Sequence, residues 1–193
     1  MPYFFGIKTP LLEIRELQET ANQISNLALP IQPVSPDSLH ITILYIGKKL
    51  PKRDVLTRIE SELLKIGEIK LKITNKLEIF PSLSKPRALV LKVEDKYGKL
   101  REIRNILLNM LRQHNVTIED RFLHDFNPHI TIGHIRAKLT YVEAIEILDS
   151  IRVDIPDIEL NVRYIELIDS TGGTYNVICR LLTLPQTLDQ DTL

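Results

Sequence analysis

The chain has 193 residues, 44% of them apolar, enough to bury one sizeable core or two small lobes sharing one. Lysine plus arginine and aspartate plus glutamate both total 25, so no net field draws the chain onto nucleic acid or an acidic membrane, and any anionic ligand must be held by local groups. Cys179 is the only cysteine, which excludes an intramolecular disulfide and a cysteine-based zinc site; it fits a reducing compartment and reads as a small buried apolar residue.

The opening "MPYFFGIKTPLLEI" has no basic leader followed by an apolar stretch, and no uncharged apolar run approaches membrane-spanning length. The expectation is a soluble, cytoplasmic, monomeric protein with no membrane partner. "YFFGIK" (3–8) reads as a strand, and Thr9 and Pro10 as N-cap and first residue of a helix through "LLEIRELQETANQISNLAL". "LHITILYIG" is a second strand closed by Gly47; Pro51 opens a helix through "DVLTRIESELLKI" that Gly67 stops. "IKLKITNKLEIF" alternates as a half-buried strand, with "RALVLKVE" as its hairpin partner across "PSLSKP". These four strands and two helices read as one lobe.

The second half offers a long helix in "YGKLREIRNILLNMLRQHN", a polar loop "VTIEDRFLHDFNP", and a strand "HITIGHIR". Thr140 and Glu143 form a capping box for the helix "YVEAIEILDSI". "DIELNVRYIELID" and "TYNVICRLLTL", joined by "STGG", read as a closing hairpin. The order echoes the first half. The fold class is therefore α+β, two similar lobes with mainly antiparallel sheets, residues 1–185 forming a single domain and 186–193 a polar tail.

The tetrapeptide "HITI" occurs at 40–43 and again at 129–132, each copy opening an apolar strand. Alternation puts His40 with Thr42, and His129 with Thr131, on one face, while Ile41, Ile43, Ile130 and Ile132 point into the core. If the halves pack around a pseudo-two-fold axis, the two pairs face each other across a cleft. Imidazole is the side chain of which one copy can be neutral and another protonated near neutral pH, as a general base and acid working together require. Threonine hydroxyls can donate to non-bridging phosphate oxygens. In-line displacement at phosphorus places attacking and leaving oxygens on opposite sides, a geometry that two facing histidines meet without a metal or a covalent intermediate.

The paired motifs resemble the two H-x-T/S-x signatures of the 2H phosphoesterase superfamily. The chain is similar to its RNA 2′,3′-cyclic phosphodiesterase branch, historically called 2′-5′ RNA ligases, through "YFFGIK", "LHITILYIG", "IFPSLSKPRALVLKV", "FNPHITIGHI" and "IELIDSTGGTYNVI". The resemblance implies a bilobal fold with a central cleft and outer helices. It implies cofactor-free, metal-independent opening of a 2′,3′-cyclic phosphate on RNA ends or nucleotides, leaving a 2′-phosphate. By that likeness His40 and His129 are the acid and base, and Thr42 and Thr131 the phosphate clamps. The expected assignment has His129 deprotonate water and His40 protonate the departing 3′-oxygen, an order that pseudo-symmetry leaves open. Two rival readings use the same fold: an enzyme joining or cutting 2′-5′ linkages, and a non-catalytic RNA-end-binding module.

The chain departs from the family pattern in two places. Pro2 and Tyr3 stand where the family usually has an arginine, and His134 stands where a second arginine usually follows the second motif. Arg136, expected on the strand face of His129 and His134, is the candidate for the displaced charge. Tyr3, Phe5 and Phe126 are candidate stacking surfaces for a base. Arg87 reads as a solvated strand end. Glu119, Asp120, His124 and Asp125 read as a polar loop without metal-ligand spacing.

Overall fold

The computed structural model describes residues 3–27 and 29–185, so Pro2 and the 186–193 tail lie outside the described residues. In chain order the elements are β1 (Tyr3–Ile7), α1 (Thr9–Leu12), α2 (Arg15–Ser25), β2 (Ile31–Pro33), a 3₁₀ turn at Pro36–Ser38, and β3 (Ile41–Gly47). There follow α3 (Arg53–Leu63), β4 (Ile69–Ser82), β5 (Lys85–Glu94), α4 (Lys99–Gln113) and β6 (His129–Ile135). The chain closes with α5 (Tyr141–Ser150), β7 (Ile158–Val162), β8 (Tyr164–Asp169), a 3₁₀ turn at Thr171–Gly173, and β9 (Asn176–Leu182).

The strands form one curled antiparallel sheet in the order β7-β4-β5-β6-β3-β1-β8-β9, with β2 extending along β6. The two halves meet where β3 pairs with β6 at Ile41 and Ile130. On one side of that seam lie β6, β5, β4 and β7; on the other lie β3, β1, β8 and β9. Each half is thus four strands wide, and the expectation of similar lobes with antiparallel sheets holds.

Two sequence expectations change. The first four strands do not form one lobe, because β4 and β5 join β6 while β1 and β3 join the C-terminal hairpin. The segment "DIELNVRYIELID" is two strands, β7 on β4 and β8 between β1 and β9, and the chain passes from one half to the other at Arg163. Its apolar alternation runs through Arg163 to Tyr164 without a turn residue, which hides that crossing.

The first helix is also broken. Thr9 does not cap it: its hydroxyl and the N–H groups of Lys8 and Thr9 all donate to the Glu166 carboxylate, which is fully buried. Ile14 then adopts extended backbone and restarts the chain as α2, letting Leu11 as well as Leu17, Ala21 and Ile24 reach the core. The capping box at Thr140 and Glu143 forms as expected. Gly67, with φ +80°, ends the α3 segment in the left-handed region that glycine adopts without a Cβ penalty.

A continuous apolar core runs under both halves, including Phe5, Ile41, Ile59, Leu91, Leu107, Ile130 and Ile165, all fully buried. Among the described residues, no helix is long and apolar enough to cross a membrane.

Candidate active site

The seam positions the repeated motif. With Ile41 opposite Ile130, antiparallel register puts Thr131 across from His40 and Thr42 across from His129, all four on the face opposite the buried isoleucines. Diagonal neighbours in such a pair lie about 7–8 Å apart at Cβ, enough to seat a phosphate between the two imidazole edges. His40, Thr42, His129 and Thr131 line one cleft of about 400 Å³.

Both histidines are held in the same way. His40 Nδ1 lies 2.8 Å from the Ser38 carbonyl oxygen, and His129 Nδ1 lies 2.7 Å from that of Asn127. A carbonyl can only accept, so each Nδ1 carries the proton and each Nε2 offers its lone pair to the cleft. Aromatic rings back both imidazoles: Tyr175 and Phe4 stand 4.5 and 4.9 Å from the His40 ring, and Phe80 stands 4.2 Å from that of His129.

Burial in this setting disfavours the imidazolium form. It pushes His40 down to about 4, with the nearby His129 adding to the effect while the Ser38 carbonyl opposes it. His129 is lowered too, mainly by burial, but the Asn127 carbonyl and the charge of Glu78 act in the opposite direction. His129 therefore takes up a proton more readily than His40.

Bulges complete the cleft. In β3 the register slips at Ile43 and again at Ile46, and in β6 it slips at Ile132; the extra residues at Ile43 and Ile132 reverse the alternation that follows them. Tyr45 thereby comes to the cleft side with Thr42, and His134 with Thr131. His134 shares the face of His129 as expected, but through this bulge and not by strand alternation, which puts positions 129 and 134 on opposite faces. Gly133 follows the bulge, where a Cβ would stand 2.3 Å from Ile31 Cγ2, so glycine is required for β2 to lie against β6.

The bulge at Ile43 is secured from behind. Arg104, on α4 and buried, donates to the Ile43 carbonyl, to Asp120 Oδ2 at 2.9 Å and to the Phe122 carbonyl at 2.9 Å. Asp120 in turn accepts from the Phe122 N–H at 2.8 Å and the Tyr45 N–H at 3.3 Å. One buried ion pair thus ties helix, strand and the 116–128 loop together. It also consumes Asp120, and among the described residues no three His, Cys, Asp or Glu side chains converge as a metal site.

Of the other sequence candidates, His134 and Phe126 line the cleft, and so does Arg87, expected only as a solvated strand end. One face of the Phe126 ring is covered by Arg104, whose guanidinium carbon stands 4.9 Å from the ring centre. Phe5 is corrected: it is fully buried in the core, and Phe4 is the aromatic that meets His40. Tyr3 packs against the core beside Gly47 and Asp169, away from the cleft. Arg136 lies past the end of β6, exposed, its Nε donating to Gln32 Oε1 at 2.9 Å, because β2 flanks that end of the strand. Sequence reasoning missed Phe4, Tyr45, Phe80, Arg104 and Tyr175. Tyr45 alone had a signal, following Thr42 by three residues as His134 follows Thr131.

Comparison with known proteins places the chain in a family and matches its fold. The family model described as the 2′-5′ RNA ligase superfamily matches residues 13–174. An RNA 2′,3′-cyclic phosphodiesterase from Archaeoglobus fulgidus is 28% identical over 109 residues, and the match spans 56% of this chain and 58% of that protein. Among solved structures, TT0787 of Thermus thermophilus superposes with a TM-score of 0.66 at 20% identity, covering 96% of this chain and 100% of that one. E. coli LigT, crystallised with 3′-AMP, superposes with a TM-score of 0.65 at 19% identity, covering 96% of this chain and 98% of LigT. With the family model spanning most of the length and the fold shared end to end, the chain belongs to the 2′-5′ RNA ligase superfamily, the 2H phosphoesterases.

Proposed function

We propose that the chain hydrolyses 2′,3′-cyclic phosphates on RNA ends or nucleotides to 2′-phosphates, without a metal ion or other cofactor. The observation that carries this reading is the matched pair of histidines, each with Nδ1 on a backbone carbonyl two residues back and its ring lining a shared cleft. The likeness to the Archaeoglobus RNA 2′,3′-cyclic phosphodiesterase supports the substrate class.

In this mechanism His40 Nε2 takes a proton from water as the water oxygen attacks phosphorus. His129, protonated, gives its Nε2 proton to O3′ as the P–O3′ bond breaks, leaving the phosphate on O2′. Thr42 and Thr131 donate to the non-bridging oxygens, where charge builds in the transition state. This order reverses the expectation from sequence. His40 is the more strongly held neutral, which suits a base, while His129 is the more readily charged. A bound phosphodiester carries a negative charge that raises both imidazoles, and His129 reaches the protonated state first.

The test is hydrolysis of a 2′,3′-cyclic nucleotide in EDTA by wild type, His40→Ala and His129→Ala, with the product phosphate identified. The reading expects 2′-phosphate from wild type and a loss of about 100-fold or more from each variant. A wild type that is inactive in EDTA, or a 3′-phosphate product, overturns it.

A further inference from the structure

A second concavity, of about 720 Å³, lies on the same sheet face as His129 and shares Phe126 and Asn127 with the catalytic cleft. Register shows the continuity. Lys92 pairs with His129 across β5 and β6, and Glu94, two residues further on, pairs with Lys72 of β4. Paired residues project to one face, so the surface running outward from His129 carries Lys92, then Lys72 and Lys70. The turn between β5 and α4 adds Lys96 at its edge, and the first turn of α4 adds Arg101.

The chain as a whole is neutral, yet this groove gathers five cations against the carboxylates of Glu94, Asp95 and Glu159. Asp95 is committed to the N–H groups of Lys99 and Leu100, capping α4. Lys72 is paired with Asp157 at 2.7 Å, whereas among the described residues Lys92, Lys96 and Arg101 form no ion pair. Beside them stands Tyr97, 62% exposed, with the Lys96 ammonium 5.8 Å from its ring centre over one face and the other face open. Unpaired cations alternating with an exposed ring form the pattern that binds single-stranded nucleic acid, the charges following phosphates and the ring stacking a base.

Building on the function proposed above, we infer that this groove binds the RNA strand leading up to the cyclic-phosphate end, giving an oligoribonucleotide a lower KM than a mononucleotide. Lys92, adjacent to His129, meets the phosphate nearest the reacting one. Lys96 and Arg101 hold the phosphates further along, and Tyr97 stacks a base between them.

The experiment has two independent readouts. Fluorescence anisotropy of a labelled single-stranded decaribonucleotide, across a salt series, measures binding whether or not catalysis occurs. Wild type is compared with the Lys92→Ala/Lys96→Ala/Arg101→Ala variant and with Tyr97→Ala. The triple variant is expected to bind at least tenfold more weakly and to lose about 2 from the slope of log K against log salt. Tyr97→Ala is expected to lose about tenfold with the slope unchanged. Steady-state hydrolysis then compares a cyclic mononucleotide with an oligonucleotide ending in a cyclic phosphate. The triple variant should raise KM for the oligonucleotide at least tenfold more than it raises KM for the mononucleotide. Equal binding and equal salt slopes in wild type and triple variant overturn the groove assignment, even if hydrolysis is intact. Normal RNA binding with no hydrolysis of either substrate overturns the catalytic reading and leaves the groove standing.

Discussion

Thr42 lies across the seam from His129, and Thr131 across from His40, because Ile41 pairs with Ile130. The hydroxyl partner of each imidazole therefore comes from the other strand. Two half-sites that would each be a weak polar patch are completed by one backbone pairing, and the cleft exists only where the two halves of the sheet meet.

That arrangement predicts the effect of removing a hydroxyl while keeping its shape. Thr42→Val and Thr131→Val should each lower kcat by about 100-fold, the loss typical of one donor to a developing oxyanion, with KM changing far less. Steady-state kinetics on a cyclic nucleotide checks this. A loss confined to KM would mean that the hydroxyls bind ground state and transition state alike.

The depressed imidazoles predict where activity sits on the pH scale. In the free enzyme the base must be neutral, which requires pH above about 4 for His40. The acid must be protonated, and His129 lies below its ordinary 6.5. The kcat/KM profile should therefore be a bell centred between about 4 and 6.5, while the kcat profile extends to higher pH because the bound phosphodiester raises His129. Profiles of both parameters across pH 4–9 decide it, and a kcat/KM maximum above pH 7 would contradict the burial effect.

The same burial has a stability consequence of definite sign. The unfolded chain protonates His40 near 6.5, whereas the folded chain resists until about 4. Between those values the unfolded state binds more protons, so stability falls as pH drops through that window. His40 opens on the cleft and keeps part of its hydration, which brings the loss to about 1–3 kcal/mol. Denaturant unfolding at pH 4.5 and 7 should show that loss in wild type and a smaller one in His40→Gln.

The repeated "HITI" made the four central groups legible because strand alternation and pseudo-symmetry both act on adjacent residues. Local signals also served for the Thr140 capping box and the β4–β5 hairpin. What lay hidden depends on pairing at long range. The bulges that turn Tyr45 and His134 toward the cleft appear only in the register against β1 and β5. Arg104 reads from sequence as one more basic residue of an amphipathic helix, and its role arises from a loop 16 residues on and a strand 61 residues back. The crossing at Arg163 left no turn signal, so two strands read as one.

Arg104 and Asp120 form the buried pair behind the β3 bulge, each side chain 4% exposed. Arg104→Met should cost about 3–5 kcal/mol, because it leaves the Asp120 charge and the Ile43 carbonyl without their partner. Replacing both members with apolar residues should recover only part, since the Ile43 and Phe122 carbonyls and the Tyr45 and Phe122 N–H groups would remain unpaired. Urea unfolding of the two variants checks the order.

Tyr45 is half-buried at the cleft, where lost hydration raises its phenol, and its hydroxyl interacts with Thr42. Its position argues that it acts through that threonine, fixing the rotor that must point at phosphate. Tyr45→Phe should then lower kcat by about 2–10-fold, the value of one neutral hydrogen bond, without changing the fold. The double variant Thr42→Val/Tyr45→Phe discriminates between the two ways this could arise. If Tyr45 only orients Thr42, the double variant is no slower than Thr42→Val alone, because the group being oriented is gone. If the two losses multiply, Tyr45 touches the substrate itself.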